Sequence, residues 1–332
     1  MINHELVQRC DLFEKNYSLI RHNFKWEYAT MCCLGALLYT NAGKEVDVLE
    51  IKKTKEIIKN NTGFFSAFKE TTFFALATLL SLEEKPEELF HKTIHIYNKM
   101  KTEGFYSSPY LTLASFQIAK QTEEFQVDAI IQRAKEFYAA IKKEHPFLTS
   151  TDDYGFAAML ATTDLSISET IREMETCYEN LKPKFGVGNA LQSLTHVLTI
   201  GEEHAIDKSE RAKDIYDKLY EKGCKLSKYK ELATLGILVL IKTDVETLTD
   251  DIKEVYNLLI EKKGLGKWSI SKHERTMYAS ALIANAFIND QKKDAISNTL
   301  SNSLTSIVIA QQTAMIIAAT SASAAAAASS SS

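Results

Sequence analysis

Leu6, Cys10, Phe13, Tyr17, Ile20 and Phe24 fall on one face of a helix, each three or four positions after the last, with polar residues between them. The stripe predicts an amphipathic helix over residues 1–25, read here as an N-terminal cap. From Trp26 onward two kinds of segment alternate. One kind is apolar and small-residue-rich nearly all round, as in Phe73–Leu80, Tyr154–Leu160 and Leu235–Leu240. Such helices have neighbours on several sides. The other kind is charged on one face and apolar on the other, as in Lys208–Tyr216.

The charged helices share a phase. Tyr97, Tyr138, Tyr178, Tyr216 and Tyr256 recur about every forty residues, each with an apolar residue or cysteine before it and an apolar residue three positions later. A period of that length built from helices predicts tandem hairpins, none of which can bury its apolar face alone. Pro86, Ser166 with Glu169, Asp207 with Glu210, and Thr247 are the expected helix starts. Gly63, Gly104, Gly186, Gly223 and Gly264 are the expected stops, with Pro146 serving in the third hairpin. The expected fold is all-α: about seven antiparallel hairpins over residues 26–300, forming either an open α-solenoid or a closed α/α toroid. Only 12 glycines and 4 prolines occur among 332 residues, which suits long elements and few turns.

From Ala295 on the chain carries no charged side chain. Gln311, Gln312 and many Ser and Thr residues interrupt its apolar positions, which argues against a membrane span. The expectation is a last helix over 301–320 packing on the final hairpin, then a flexible Ala/Ser tail over 321–332.

Charge and cysteine content narrow the function classes. Lys plus Arg number 39 against 43 Asp plus Glu, a net charge of −4, which supplies no overall field for nucleic acid or an anionic membrane. Five cysteines without a C-x-x-C pair, and no leader-like N-terminus, point to a reduced cytoplasmic protein.

Catalytic and metal-binding patterns are thin. His91 and His95 share helical spacing but lack a third ligand, and His273-Glu274 departs from H-E-x-x-H because Met277 occupies the second ligand position. Asp250-Asp251 reads as a helix start, and Gly186-Val-Gly188 and Gly264-Leu-Gly266 as turns. No cofactor, metal or catalytic residue is therefore expected. The most distinctive connection is 261–275, where Lys267, Trp268, Lys272, His273 and Arg275 combine several cationic donors with a flat aromatic surface. These five are the candidate ligand- or partner-binding residues.

The ending Gly264–Ser271, the following Arg275–Ala284 and the Ala/Ser tail resemble a family of Firmicutes proteins known only as a domain of unknown function. That resemblance implies a bacterial source and an all-α chain of some 300 residues, and it carries over no functional residues. The expected function is a cytoplasmic helical-repeat scaffold binding a protein or peptide. The alternative is an α/α-toroid enzyme acting on a small molecule in a central pocket.

Overall fold

A computed structural model describes residues 4–267, 269–294, 306–320 and Ser323. Among the described residues the regular structure is entirely helical. Seven outer–inner pairs follow one another: α1 (His4–Asn23) with α2 (Ala29–Asn41), α3 (Val48–Asn60) with α4 (Phe73–Ser81), α5 (Pro86–Thr102) with α6 (Pro109–Gln121), α7 (Val127–Glu144) with α8 (Tyr154–Ala161), α9 (Ile167–Phe185) with α10 (Asn189–Leu198), α11 (Ala205–Glu221) with α12 (Leu232–Val239), and α13 (Val245–Glu261) with α14 (Lys272–Asp294). A further helix, α15, spans residues 306–320.

Burial explains the two helix types. Every residue of α8 and α12 is buried, whereas α5 buries only Phe90, Thr93, Ile96, Tyr97 and Met100, one stripe at helical spacing. Outer helices pack on outer neighbours and inner helices on inner neighbours, giving two layers.

The repeat tyrosines join successive pairs. A ring at the end of one outer helix or in the connection leaving it meets the tyrosine of the next: Phe68 with Tyr97 at 4.8 Å, Phe105 with Tyr138 at 6.2 Å, His145 with Tyr178 at 4.3 Å and Phe185 with Tyr216 at 5.0 Å between centroids. Tyr97, Tyr178 and Tyr256 are buried, while Tyr138 and Tyr216 are half-buried. A second shared position, ahead of the tyrosine, is basic in three of the repeats. Lys92 donates to Thr122 O, Arg133 to Thr163 O at 3.1 Å, and Arg211 to Ile241 O and Thr243 O at 2.8 and 2.7 Å. Each cation satisfies carbonyls left open where an inner helix ends.

Helix stops agree with the glycine pattern at Gly104, Gly186, Gly223 and Gly264, all in the left-handed region; Gly63 is not, and lies within a longer connection. The starts are partly different. Pro86 opens α5, but α13 is capped by Asp244, whose carboxylate accepts from Thr247 N at 2.8 Å. α11 begins at Ala205, ahead of Asp207, and Ser166 caps α9 by position without a side-chain bond to the backbone.

Two placements depart from the sequence reading. α1 is not a separate cap: it packs along α2 as the outer helix of the first pair, and it also meets α13 and α14. Lys262 is ion-paired with Asp11, Lys263 N donates to Glu14 Oε1 at 2.8 Å, and the rings of Phe13 and Tyr278 lie 5.7 Å apart. α14 touches α2 as well as α12, so the first and last pairs are neighbours. The second departure concerns α15, which reaches far beyond the final hairpin.

Candidate functional site in the inner layer

α15 bonds to inner helices from widely separated parts of the chain. Gln311 Nε2 donates to Ala281 O in α14 at 2.8 Å, and Gln117 in α6 donates to Thr313. The Tyr110 hydroxyl of α6 meets Thr320 at 3.4 Å, and Thr30 of α2 meets Ser323 at 2.8 Å. Gly155 of α8 faces the same helix so closely that a Cβ there would stand 2.8 Å from Thr313 Cγ2. α15 thus contacts α6, α8 and α14, and Ser323 beyond it contacts α2.

The uncharged, small-residue composition of α15 suits these contacts. Ala310, Ala314, Ala318 and Ala319 allow close approach, and the intervening Gln and Thr side chains satisfy polar groups of the inner helices. α15 runs against the direction of α14, since Gln311 lies beside Ala281 while Ala318 and Ala319 share a cleft with Met277 and His273. Its carbonyl end therefore faces the amide ends of the inner helices, a favourable dipole arrangement.

Around the start of α8, together with α10, lies a buried polar group of four residues. Gln192 Nε2 of α10 donates to Thr149 at 2.8 Å, and His196, one turn later, lies 3.6 Å from Asp153 Oδ1 at the start of α8. That separation would suit an ion pair, but burial opposes both charges. It pushes Asp153 up to about 8, with the neighbouring Asp152 adding to the rise, and holds His196 down to about 3. A neutral carboxylic acid beside a neutral imidazole is the resulting state near neutrality. Both ring nitrogens of His196, together with Gln192 Oε1 and Gln117 Oε1, have no hydrogen-bond partner among the described residues. These groups give the inner layer donor and acceptor capacity that the backbone pattern did not signal. A single His or Gln in an apolar helix carries no spacing from which to recognise it.

The residues singled out in the 261–275 connection are placed differently from one another. Arg275 is almost fully buried: Nε donates to Leu265 O at 3.1 Å and Nη2 to Ile270 O at 3.0 Å, while the guanidinium lies over the Tyr256 ring at 5.3 Å. It clasps the connection from inside, and its donors do not face a ligand. Lys267 in the turn and Lys272 at the start of α14 are both exposed. Trp268 lies outside the described residues. His273 is half-buried and faces a cleft. Its Nδ1 lies 3.0 Å from Lys225 O, and it lines that cleft of about 320 Å³ with Thr30, Glu231, Glu274, Ala318 and Ala319, at the end of α15. Burial raises the Glu231 carboxyl there, opposed by the Ser227 amide donating to it.

His91 and His95 stay on the solvent face of α5, with His95 Nε2 3.5 Å from Glu124. Among the described residues, no three His, Cys, Asp or Glu side chains converge as metal ligands, and no helix is long and apolar enough to cross a membrane.

The family described as "Protein of unknown function (DUF4003)" matches residues 16–313, from within α1 to the middle of α15. The chain belongs to that family. The uncharacterised protein YeaA of Bacillus subtilis (strain 168) is 24% identical to it over 266 residues, covering 76% of this chain and 80% of that protein. No solved structure matches. The DUF4003 range thus takes in the four-residue polar group, the outer tyrosines and the Thr313 contact with Gln117 and Gly155.

Proposed function

We propose that this DUF4003 protein is a cytoplasmic peptide-binding scaffold, a closed α/α toroid whose inner layer receives an uncharged, small-residue helix. Its own α15 is the resident occupant. The observation that carries this reading is the set of α15 contacts to α6, α8 and α14, joined by that of Ser323 to α2, which amounts to a worked example of helix recognition by the inner layer. The neighbouring first and last pairs support closure. Backbone approach at Gly155, the side-chain amide of Gln117 and the Ala281 carbonyl that accepts from Gln311 give the surface its preference: a small residue or Thr opposite Gly155, and no charge.

The test uses the full chain with a specific protease site inserted between Asp294 and Ser306. After cleavage, a labelled peptide of residues 304–323 should exchange for the resident fragment, and the same peptide carrying Ala314→Glu should not. A cleaved protein that stays folded and takes up neither peptide, or both equally, would overturn the reading.

The Asp153–His196 pair favours a second reading, an α/α-toroid enzyme acting on a small molecule in a central pocket. Asp153→Asn should leave peptide exchange unchanged if the scaffold reading holds, because the pair does not bond to α15.

A further inference from the structure

The connections leading from an outer helix to the next inner helix all lie at one end of the hairpin array. Among the described residues, five of the seven present aromatic rings to solvent there, whereas the opposite end exposes Phe125. Trp26 is 100% exposed, Phe65 95%, Phe147 99% and Tyr229 87%, and Phe64 and Tyr106 stand out in the same way. Each follows a different outer helix, apart from the adjacent Phe64 and Phe65. Scattered exposed apolar residues need no explanation, but a recurrence at one end of successive repeats forms a surface.

Charge separates along the same axis. The aromatic end carries exposed Lys25, Lys101, Lys143, Lys182, Lys230 and Lys272. The opposite end carries exposed Glu45, Glu84, Glu124, Asp164, Glu202 and Asp244. The net charge of −4 averages over two ends of opposite sign, so it understates the positive field at the aromatic end.

We infer that the aromatic end docks on an anionic phospholipid surface, with its rings entering the headgroup layer and its lysines over lipid phosphates. Aromatic side chains favour that layer, and basic residues near an anionic leaflet add attraction that falls off within a Debye length. A nucleic-acid strand fits the geometry less well. Strand-binding rings form successive platforms along a groove, whereas these project from separate connections and are too fully exposed for protein to back them. Their common end suits a flat surface that meets all of them at once. The attachment is peripheral, requires no spanning helix, and does not depend on the peptide-binding reading of the inner layer.

The experiment is flotation of the full chain with vesicles of phosphatidylcholine alone and of phosphatidylcholine with phosphatidylserine. Binding is expected to the second vesicle only, and to weaken as salt rises. The combined change Trp26→Ser, Phe65→Ser and Phe147→Ser should lower vesicle affinity at least about tenfold, as should Lys143→Glu with Lys230→Glu and Lys272→Glu. Glu84→Lys with Glu124→Lys, at the opposite end, should not weaken it. Circular dichroism and melting temperature establish that each variant is folded. Three results would overturn the inference: absence of binding to phosphatidylserine vesicles, binding undiminished in the folded aromatic variant, or binding of a single-stranded oligonucleotide without binding of vesicles.

Discussion

Gly264 lies directly against the ring of Tyr17, so close that a Cβ at Gly264 would stand 2.5 Å from Tyr17 Cε1. The two residues belong to the last connection and the first helix, and their contact repeats in miniature the meeting of a connection with the next outer tyrosine. Gly264 also has φ +78, a region that an L side chain enters at a cost. Gly264→Ala should therefore destabilise by about 2 kcal/mol or more, combining backbone strain with overpacking. Gly43 provides the control, since it has φ +67 and nothing within 4 Å of a built Cβ. Gly43→Ala should cost only about 1 kcal/mol. Equal shifts in denaturant midpoint for the two variants would show that the contact with Tyr17 carries no weight.

Tyr178 tests the repeat. It is buried against His145, whose Nε2 lies 2.8 Å from Glu175, so the ring is fixed on both sides of a pair boundary. Tyr178→Ala should cost about 3 to 5 kcal/mol, the range for a large buried aromatic. Half-buried Tyr216 should cost less on the same change. Chemical denaturation of the two variants decides it, and the reverse order would remove the tyrosine from its assigned role.

The Asp153–His196 pair makes stability depend on pH with a definite sign. Asp153 rises from 3.8 to about 8 on folding, so the folded state keeps a proton the unfolded chain releases. Its contribution is complete below the unfolded value and is lost as pH climbs towards the folded one. His196 falls from 6.5 to about 3, so its contribution is present above 6.5 and is lost as pH falls. The two slopes oppose each other through the acidic range, and from pH 6.5 to 8 only Asp153 acts. Stability should drop by up to about 2 kcal/mol across that upper window. Asp153→Asn should flatten it, measured by urea unfolding at stepped pH, and a slope unchanged by the substitution would mean that Asp153 is already ionised.

Seating of α15 can be tested by a pair of small changes. Gly155→Ala places a methyl group against Thr313 Cγ2, and Thr313→Ser removes that carbon while keeping the hydroxyl that accepts from Gln117. The single Gly155→Ala variant should expose the chain after Asp294 to limited proteolysis and lower the melting temperature. Adding Thr313→Ser should restore much of both. If the double variant is no better than the single, the close approach lies elsewhere than at Thr313.

The sequence alone determined what depends on neighbours one or two helical turns away. The alternation of apolar and amphipathic helices, the all-α class, the shared phase of Tyr97 to Tyr256 and four of the five glycine stops follow from side-chain spacing and left-handed backbone. Tertiary structure decided the rest. Whether the first pair meets the last depends on a small rotation per hairpin summed over the array, which no single residue encodes, and so α1 read as a cap although Tyr17 stands in a repeat-like setting. Arg275 read as an anion donor because sequence gives a charge but not the side it faces; its guanidinium turns inward to the carbonyls of its own connection. α15 carries too few distinctive side chains to announce a binding place, since alanine, serine and threonine fit any small-residue surface, and only the inner helices around it specify one. Net charge likewise conceals how lysines and carboxylates sort to opposite ends, because antiparallel pairing alone sends every second connection to the same side.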